Sequence, residues 1–167
     1  MEREQTCCFT GHRPDKLPWH TDDGDARCLA LRARIDEAVR RAYDAGCRHF
    51  ICGMARGCDL YFCASALALR DQAPGVTVEA AVPCPDQADR WRVREREEYD
   101  RLLDRCDYES LVQPRYSPWC MMRRNRYMVD RSCRLIAVYN GVPKGGTYQT
   151  LAYAMQQELT CDIIPLE

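Results

Sequence analysis

Residues 47–72 read CRHFICGMARGCDLYFCASALALRDQ. The first seven, CRHFICG, read as a strand. MARGCD then leads into a helix that runs through about Gln72. Between them, Gly53 and Gly57 allow positive φ and close approach of a backbone. A strand that passes through a glycine loop into a helix is one βα unit. If the rest of the chain repeats the unit, the sheet is mostly parallel and covered on both faces.

The flanking sequence does repeat it. Upstream, TCCFTG (6–11) reads as a first strand, followed by the proline-containing loop HRPDKLPWHTDD. A helix is expected from about Gly24 to Gly46. Leu31, Ile35, Ala38, Val39 and Ala42 recur at helical spacing, and arginines and acids fill the other face. Downstream, VTVEAAVPCP (76–85) holds a third strand, and a charged helix is expected from Asp86 to about Cys106. YESLVQP (108–114) reads as a fourth strand. SPWCMMRRNRYMVDRSC (117–133) reads as a helix with Ser117 as N-cap and Pro118 at its first position. RLIAVYN (134–140) is a fifth strand, Thr147 to Thr160 a last helix, and CDIIPLE (161–167) a closing strand. The expected fold is therefore α/β. It is a Rossmann-like three-layer sandwich with a mostly parallel sheet of five to six strands and helices on both faces. It forms one domain over 1–167, with right-handed crossovers.

Composition bounds the function. The chain has 167 residues, 46% apolar and 29% charged, with a net charge of −1. Near-zero charge argues against nucleic acid as a partner. No apolar run is long enough to span a bilayer, and MEREQTCCFTG has no signal-peptide core, so a cytoplasmic location is expected. Twelve cysteines are present, but no Cys-x-x-Cys occurs. They read as small buried hydrophobes in a reducing compartment, with no metal site.

The unusual loops all follow strands and precede helices: GHRP after the first, GMARGCD after the second, PCPDQ after the third and NGVPKGGT after the fifth. In a parallel sheet these loops share the carboxyl edge, where ligands bind near the reversal of strand order. Helices that start after Gly57 and Gly146 would present free N–H groups and a positive dipole end. Arg13, Arg56 and Lys144 would add cationic side chains. Together they describe a site for an anion, most simply a phosphate. Neither the Gly-x-Gly-x-x-Gly nor the Walker fingerprint is present.

Other residues carry two readings. Asp59 either complements its helix dipole or bonds a ribose hydroxyl or the loop. Asn125 shares a helix face with Met121, Met128 and Ser132 and either bonds backbone or reaches the cleft. Arg126 and Asp130 have the spacing of an intrahelical ion pair. Trp91 reads as core beside Tyr99 and Leu102. His20 and His49 show no evident partner. Trp119, Met121 and Met122 could supply a homodimer surface or core.

The succession TGHRPDKL, GMARGCDLYFCASAL, VPCPDQADRW, RNRYMVDRS and NGVPKGGTYQT resembles the YpsA-like family of the SLOG superfamily, relatives of the DNA-processing protein DprA and the LOG phosphoribohydrolases. The resemblance runs from about Thr6 to Leu159. It implies a domain that binds a nucleotide or a nucleotide-derived small molecule, with suggested roles in sensing or stress signalling. It carries over Gly11, His12 and Arg13 as the opening motif and Gly53, Arg56, Gly57 and Asp59 as one wall. Gly145, Gly146 and Thr147 carry over as the phosphate loop. Met54, Pro83, Asn125, Asn140 and Lys144 complete the expected ligand-binding set. LOG hydrolases carry glutamates after the glycine loop, where this chain has Gln149. A nucleotide N-glycosidase therefore needs its carboxylate from elsewhere, from Asp59 or Asp130, and no catalytic residue is assigned.

Overall fold

The computed structural model describes residues 1–166. Six strands form one parallel sheet: β1 (Thr6–Thr10), β2 (His49–Cys52), β3 (Thr77–Val82), β4 (Tyr108–Leu111), β5 (Arg134–Tyr139) and β6 (Thr160–Pro165). Their order is β4-β3-β2-β1-β5-β6. Five helices connect them: α1 (Ala26–Asp44), α2 (Cys58–Gln72), α3 (Val93–Arg105), α4 (Cys120–Asp130) and α5 (Gly146–Gln156).

Strand side chains alternate between two cores. Cys7, Phe9, Phe50, Cys52, Val78 and Ala80 pack with α1, α2 and α3. Cys8, Ile51, Ala81, Leu135 and Ala137 pack with Met128 and Val129 of α4 and Leu151 and Ala154 of α5. The inner strands β1, β2, β3 and β5 are buried along most of their length and carry no regular polar alternation, whereas the edge strands β4 and β6 are largely exposed. The chain walks outward from β1 to β4 with its helices on one face. It then returns to the other side of β1 with its helices on the other face. Reversal of direction and change of face occur together, as a single crossover hand requires. The reversal places a switch point between β1 and β5.

Several helix boundaries differ from expectation. α1 starts at Ala26 because Asp25 caps it, its Oδ1 accepting the Arg27 N–H at 2.8 Å. The stretch 86–92 is a series of turns rather than helix, with Gln87, Asp89 and Trp91 each bonding back three residues. α3 therefore begins only at Val93. α4 begins at Cys120, not near Ser117. The Ser117 Oγ instead accepts from Trp119 N and from the Gln113 side chain. α5 stops at Gln156, and the chain reverses at Glu158 with φ of 65° before β6. The expected closing strand extends to Glu167, which lies outside the described residues.

Two helices cannot cover the whole second face. The gap over the amino-terminal half of β2, β3 and β4 is a recess of about 430 Å³. It is built around Glu79, which accepts from His49 Nε2 at 2.8 Å, Tyr127 Oη at 2.6 Å and Ser110 Oγ at 2.8 Å. His49 Nδ1 bonds Thr77 Oγ1 at 2.7 Å. His49 thus has partners that its sequence neighbours do not reveal. All twelve cysteines are free thiols, nine of them buried.

Candidate functional site at the switch point

A cleft of about 350 Å³ opens at the carboxyl ends of β1 and β5, within the size range of small-molecule sites. The loop after β1 supplies Gly11, His12, Arg13, Asp15 and Lys16. The loop after β2 and the start of α2 supply Ala55 and Asp59. α4 supplies Met121, Arg124 and Asn125, and α5 supplies Gly146 and Thr147.

His12 ties the two switch-point loops together. It is 4% exposed. Its Nε2 accepts the Asn140 backbone N–H at 3.1 Å, so in the neutral ring the proton sits on Nδ1, which faces Thr147 Oγ1 at 3.4 Å. Burial, with the Lys16 charge beside it, lowers the His12 pKa below the usual 6.5. A neutral ring suits both hydrogen bonds.

The two helix N-termini differ. At α2, the first N–H is taken, since Cys58 N donates to the His12 carbonyl at 3.2 Å. The close approach requires glycine at 57. Its φ is 85°, and a Cβ there would lie 2.9 Å from the His12 oxygen. Gly11 is needed likewise, because a Cβ would meet Cys58 Cβ at 2.6 Å. At α5, the first intrahelical bond is from Gln149 N to Gly145 O, which leaves the N–H groups of residues 146–148 without intrahelical acceptors at the cleft. Gly145 has φ of 94°, and the Lys16 Nζ lies 3.0 Å from where its Cβ would be. Lys16, not Lys144, therefore reaches the glycine turn. Lys144 is exposed and outside the cleft lining.

The opposite wall holds two buried charges. Asp59 is 7% exposed and Arg124 3%. Asp59 Oδ2 accepts the Ala55 N–H at 3.1 Å and so ties down its own loop. Among the described residues no hydrogen bond engages Oδ1. Burial pushes the Asp59 carboxyl up, opposed by Arg124 and the Ala55 N–H. Burial lowers Arg124, opposed by Asp59. The Arg124 Nη1 donates to the Gly53 carbonyl and its Nε to Asn125 Oδ1 at 2.8 Å. Asn125 thus lines the cleft and orients a guanidinium.

Of the residues expected from sequence, Gly11, His12, Arg13, Asp59, Asn125, Gly146 and Thr147 line this cleft. Gly53, Asn140 and Gly145 support it from behind through the contacts above. Gly57 faces a second cleft. Met54 is buried with φ of 62°. Arg56 is engaged by Glu95 of α3 at 2.6 Å. Pro83 is buried at the end of β3, two strands from the switch point. The expected Arg126–Asp130 ion pair does not form. Asp130 accepts from Tyr153 Oη at 2.6 Å, and Arg126 lies over the Tyr153 ring. Trp91 is half-buried, edge-on to Tyr99. Of the residues considered for a dimer surface, Met121 lines the cleft, while Trp119 and Met122 are exposed. The ligand-binding set expected from sequence left out Arg124 and Lys16. A signal existed for Arg124, since Cys120, Arg124 and Met128 are spaced four apart and all three are buried.

Fold and cleft together define a doubly wound α/β domain with its cavity at the switch point, the position ligands occupy in such sheets. The chain belongs to the YspA SLOG family, whose YpsA model matches residues 7–166. It is similar to a UPF0398 protein of Bacillus velezensis, 24% identical over 90% of this chain and 84% of the relative. The UPF0398 protein YpsA of Bacillus subtilis is likewise 24% identical, over 87% of this chain and 82% of its own. Among solved structures, the fold is shared with DNA processing protein A of Helicobacter pylori, with a TM-score of 0.64 at 14% identity. That match covers 99% of this chain and 67% of the other, whose structure is described in terms of single-stranded DNA binding. No helix among the described residues is long and apolar enough to cross a membrane.

Proposed function

We propose that this protein binds a nucleotide or nucleotide-derived small molecule in the switch-point cleft, in a sensory or regulatory role. The observation that carries the reading is the pairing of an open α5 N-terminus at Gly146 and Thr147 with the Lys16 ammonium beside Gly145. Backbone N–H groups, a positive dipole end and a cation at one point suit a phosphate. Across the cleft, the free Oδ1 of Asp59 suits a ribose hydroxyl. The near-zero net charge pointed away from nucleic acid. The fold is nonetheless shared with a protein described as binding single-stranded DNA, so an oligonucleotide belongs in the same test.

Thermal shift with AMP, ADP-ribose, NAD, cyclic nucleotides and a single-stranded oligonucleotide tests this reading. A ligand at a hundredfold its Kd adds about 2.7 kcal/mol, or roughly 5–10 °C for a chain of this size. Gly146→Asp should abolish the shift without a folding cost, because nothing lies within 4 Å of its Cβ position. If no ligand stabilises the protein, or if Gly146→Asp responds as wild type does, the reading is wrong.

Asp59 supports a second reading, a nucleotide N-glycosidase. It is the buried carboxylate in the cleft, whereas Asp130 is tied to Tyr153 outside it. Gln149 is exposed and cannot act as a general base. Release of free base from a nucleoside monophosphate, followed by chromatography and lost in Asp59→Asn, would favour this reading. No turnover across a nucleotide panel would remove it.

A further inference from the structure

A second cleft, of about 590 Å³, lies behind the wall of the first. The wall is one backbone contact thick. A Cβ at Gly57 would lie 3.1 Å from Pro14 Cδ and 3.3 Å from Arg13 Cα. Arg13 and Ala55 line the first cleft, and Pro14 and Gly57 line the second. The floor of the second is the buried pair Leu60 and Tyr61.

Its charges are unevenly committed. Arg32, Arg92, Arg94 and Arg101 line it against Asp23, Glu95 and Glu98. Glu95 is engaged by Arg56 at 2.6 Å, and Glu98 by Arg101 at 2.6 Å. Asp23 accepts from Tyr61 Oη at 3.3 Å. Among the described residues, Arg32, Arg92 and Arg94 form no ion pair. The Arg32 guanidinium lies over the Tyr61 ring at 5.1 Å. Uncommitted guanidinium groups around a concave floor focus positive potential and present donor forks matched to phosphate oxygens.

We propose that this cleft is a second anion site, taking a compact oligophosphate held by Arg32, Arg92 and Arg94. Its volume exceeds what a single phosphate needs. The protein's net charge of −1 opposes a long phosphodiester chain. The site needs nothing from the nucleotide reading of the first cleft.

Calorimetric titration with inorganic tripolyphosphate at low ionic strength tests it. One-to-one binding is expected in Gly146→Asp, where the first cleft is blocked, and the arginine changes are compared in that background. The double change Arg92→Glu and Arg94→Glu should weaken binding by at least about tenfold, since charge-assisted contacts are lost. Both side chains are exposed, and a glutamine pair at these positions serves if the glutamate pair lowers the melting temperature. In the Gly146→Asp background, ATP and adenosine distinguish the sources. ATP equal to tripolyphosphate, with adenosine silent, marks an inorganic chain, and tighter ATP marks a nucleoside oligophosphate. The proposal is overturned by absence of binding, by unchanged affinity in the arginine variants, or by loss of binding in Gly146→Asp alone. An oligonucleotide that outcompetes tripolyphosphate and depends on the same arginines would overturn the small-molecule assignment.

Discussion

Asp59 and Arg124 face each other across the empty side of Gly53. A Cβ at residue 53 would lie 3.0 Å from Asp59 Oδ2 and 3.1 Å from both Cδ and Cζ of Arg124. A methyl group there must push one of two buried charged side chains. Gly53→Ala is expected to cost about 1–3 kcal/mol by overpacking and to weaken any ligand that touches Asp59. Chemical denaturation and the thermal-shift ligand response measure the two effects separately. A wild-type ligand response in Gly53→Ala would show that the Asp59–Arg124 spacing does not matter for binding.

The two lysines of the chain make opposite predictions. Lys16→Met should lower affinity for a phosphate-bearing ligand in the first cleft by roughly tenfold or more, the worth of one charge-assisted contact. Lys144→Met should leave affinity within about twofold, because an exposed charge outside the lining is screened. Isothermal titration of the two variants side by side decides between the side chains.

His12 gives the fold a pH limb. Its pKa is held below the ordinary 6.5 by burial and by Lys16. Well above pH 6.5 the ring is neutral in both folded and unfolded chains. As pH falls through 6.5 the unfolded chain takes up the proton first, so stability is lost until the folded value is passed. The melting temperature should fall between about pH 7 and pH 5. His12→Asn should flatten that difference while lowering the plateau, since Asn140 N–H loses its acceptor. Parallel limbs in wild type and variant would exclude His12 as the cause.

Glu79 acts at lower pH. Burial pushes its carboxyl up, but the donors of His49, Tyr127 and Ser110 outweigh burial and hold it at about 2. The stability it adds is complete above the unfolded value of 4.5 and is lost as pH falls toward 2. Glu79→Gln should remove this acid limb. Glu79→Ala should cost about 1–3 kcal/mol, because the buried His49 and the partly buried Tyr127 and Ser110 lose their shared acceptor. Denaturant midpoints measured from pH 7 to pH 3 report both.

The parallel sheet and its functional edge could be read from sequence because they rest on local patterns. Strand runs, amphipathic helices and glycine loops recur in fixed phase, and this phase alone puts the loops on one side. Pairings between distant elements could not be read. Choosing Lys16 over Lys144 requires knowing that the turn at Pro14–Lys16 folds against Gly145, about 130 residues away in the chain. The loss of Arg56 to Glu95 requires knowing where α3 begins, and expected helix from Asp86 to Arg92 obscured that. Arg124 sits in the run MMRRNRYM, where helical register decides which arginine is buried. The His49–Glu79 pair joins two adjacent strands on one face, a relation that only strand register supplies.

The twelve thiols give the molecule an internal gauge of its own opening. Nine are shut inside, and the three partly open ones have raised pKa values, Cys106 through the Cys63 thiol beside it and then burial, Cys133 and Cys161 through burial. Cys47, the one thiol held low, at about 7, is itself enclosed. An alkylating reagent meets little reactive sulfur while the chain stays closed and a dozen equivalents once it opens. Label uptake counted by mass therefore timestamps each excursion from the native state, with no dye or engineered probe.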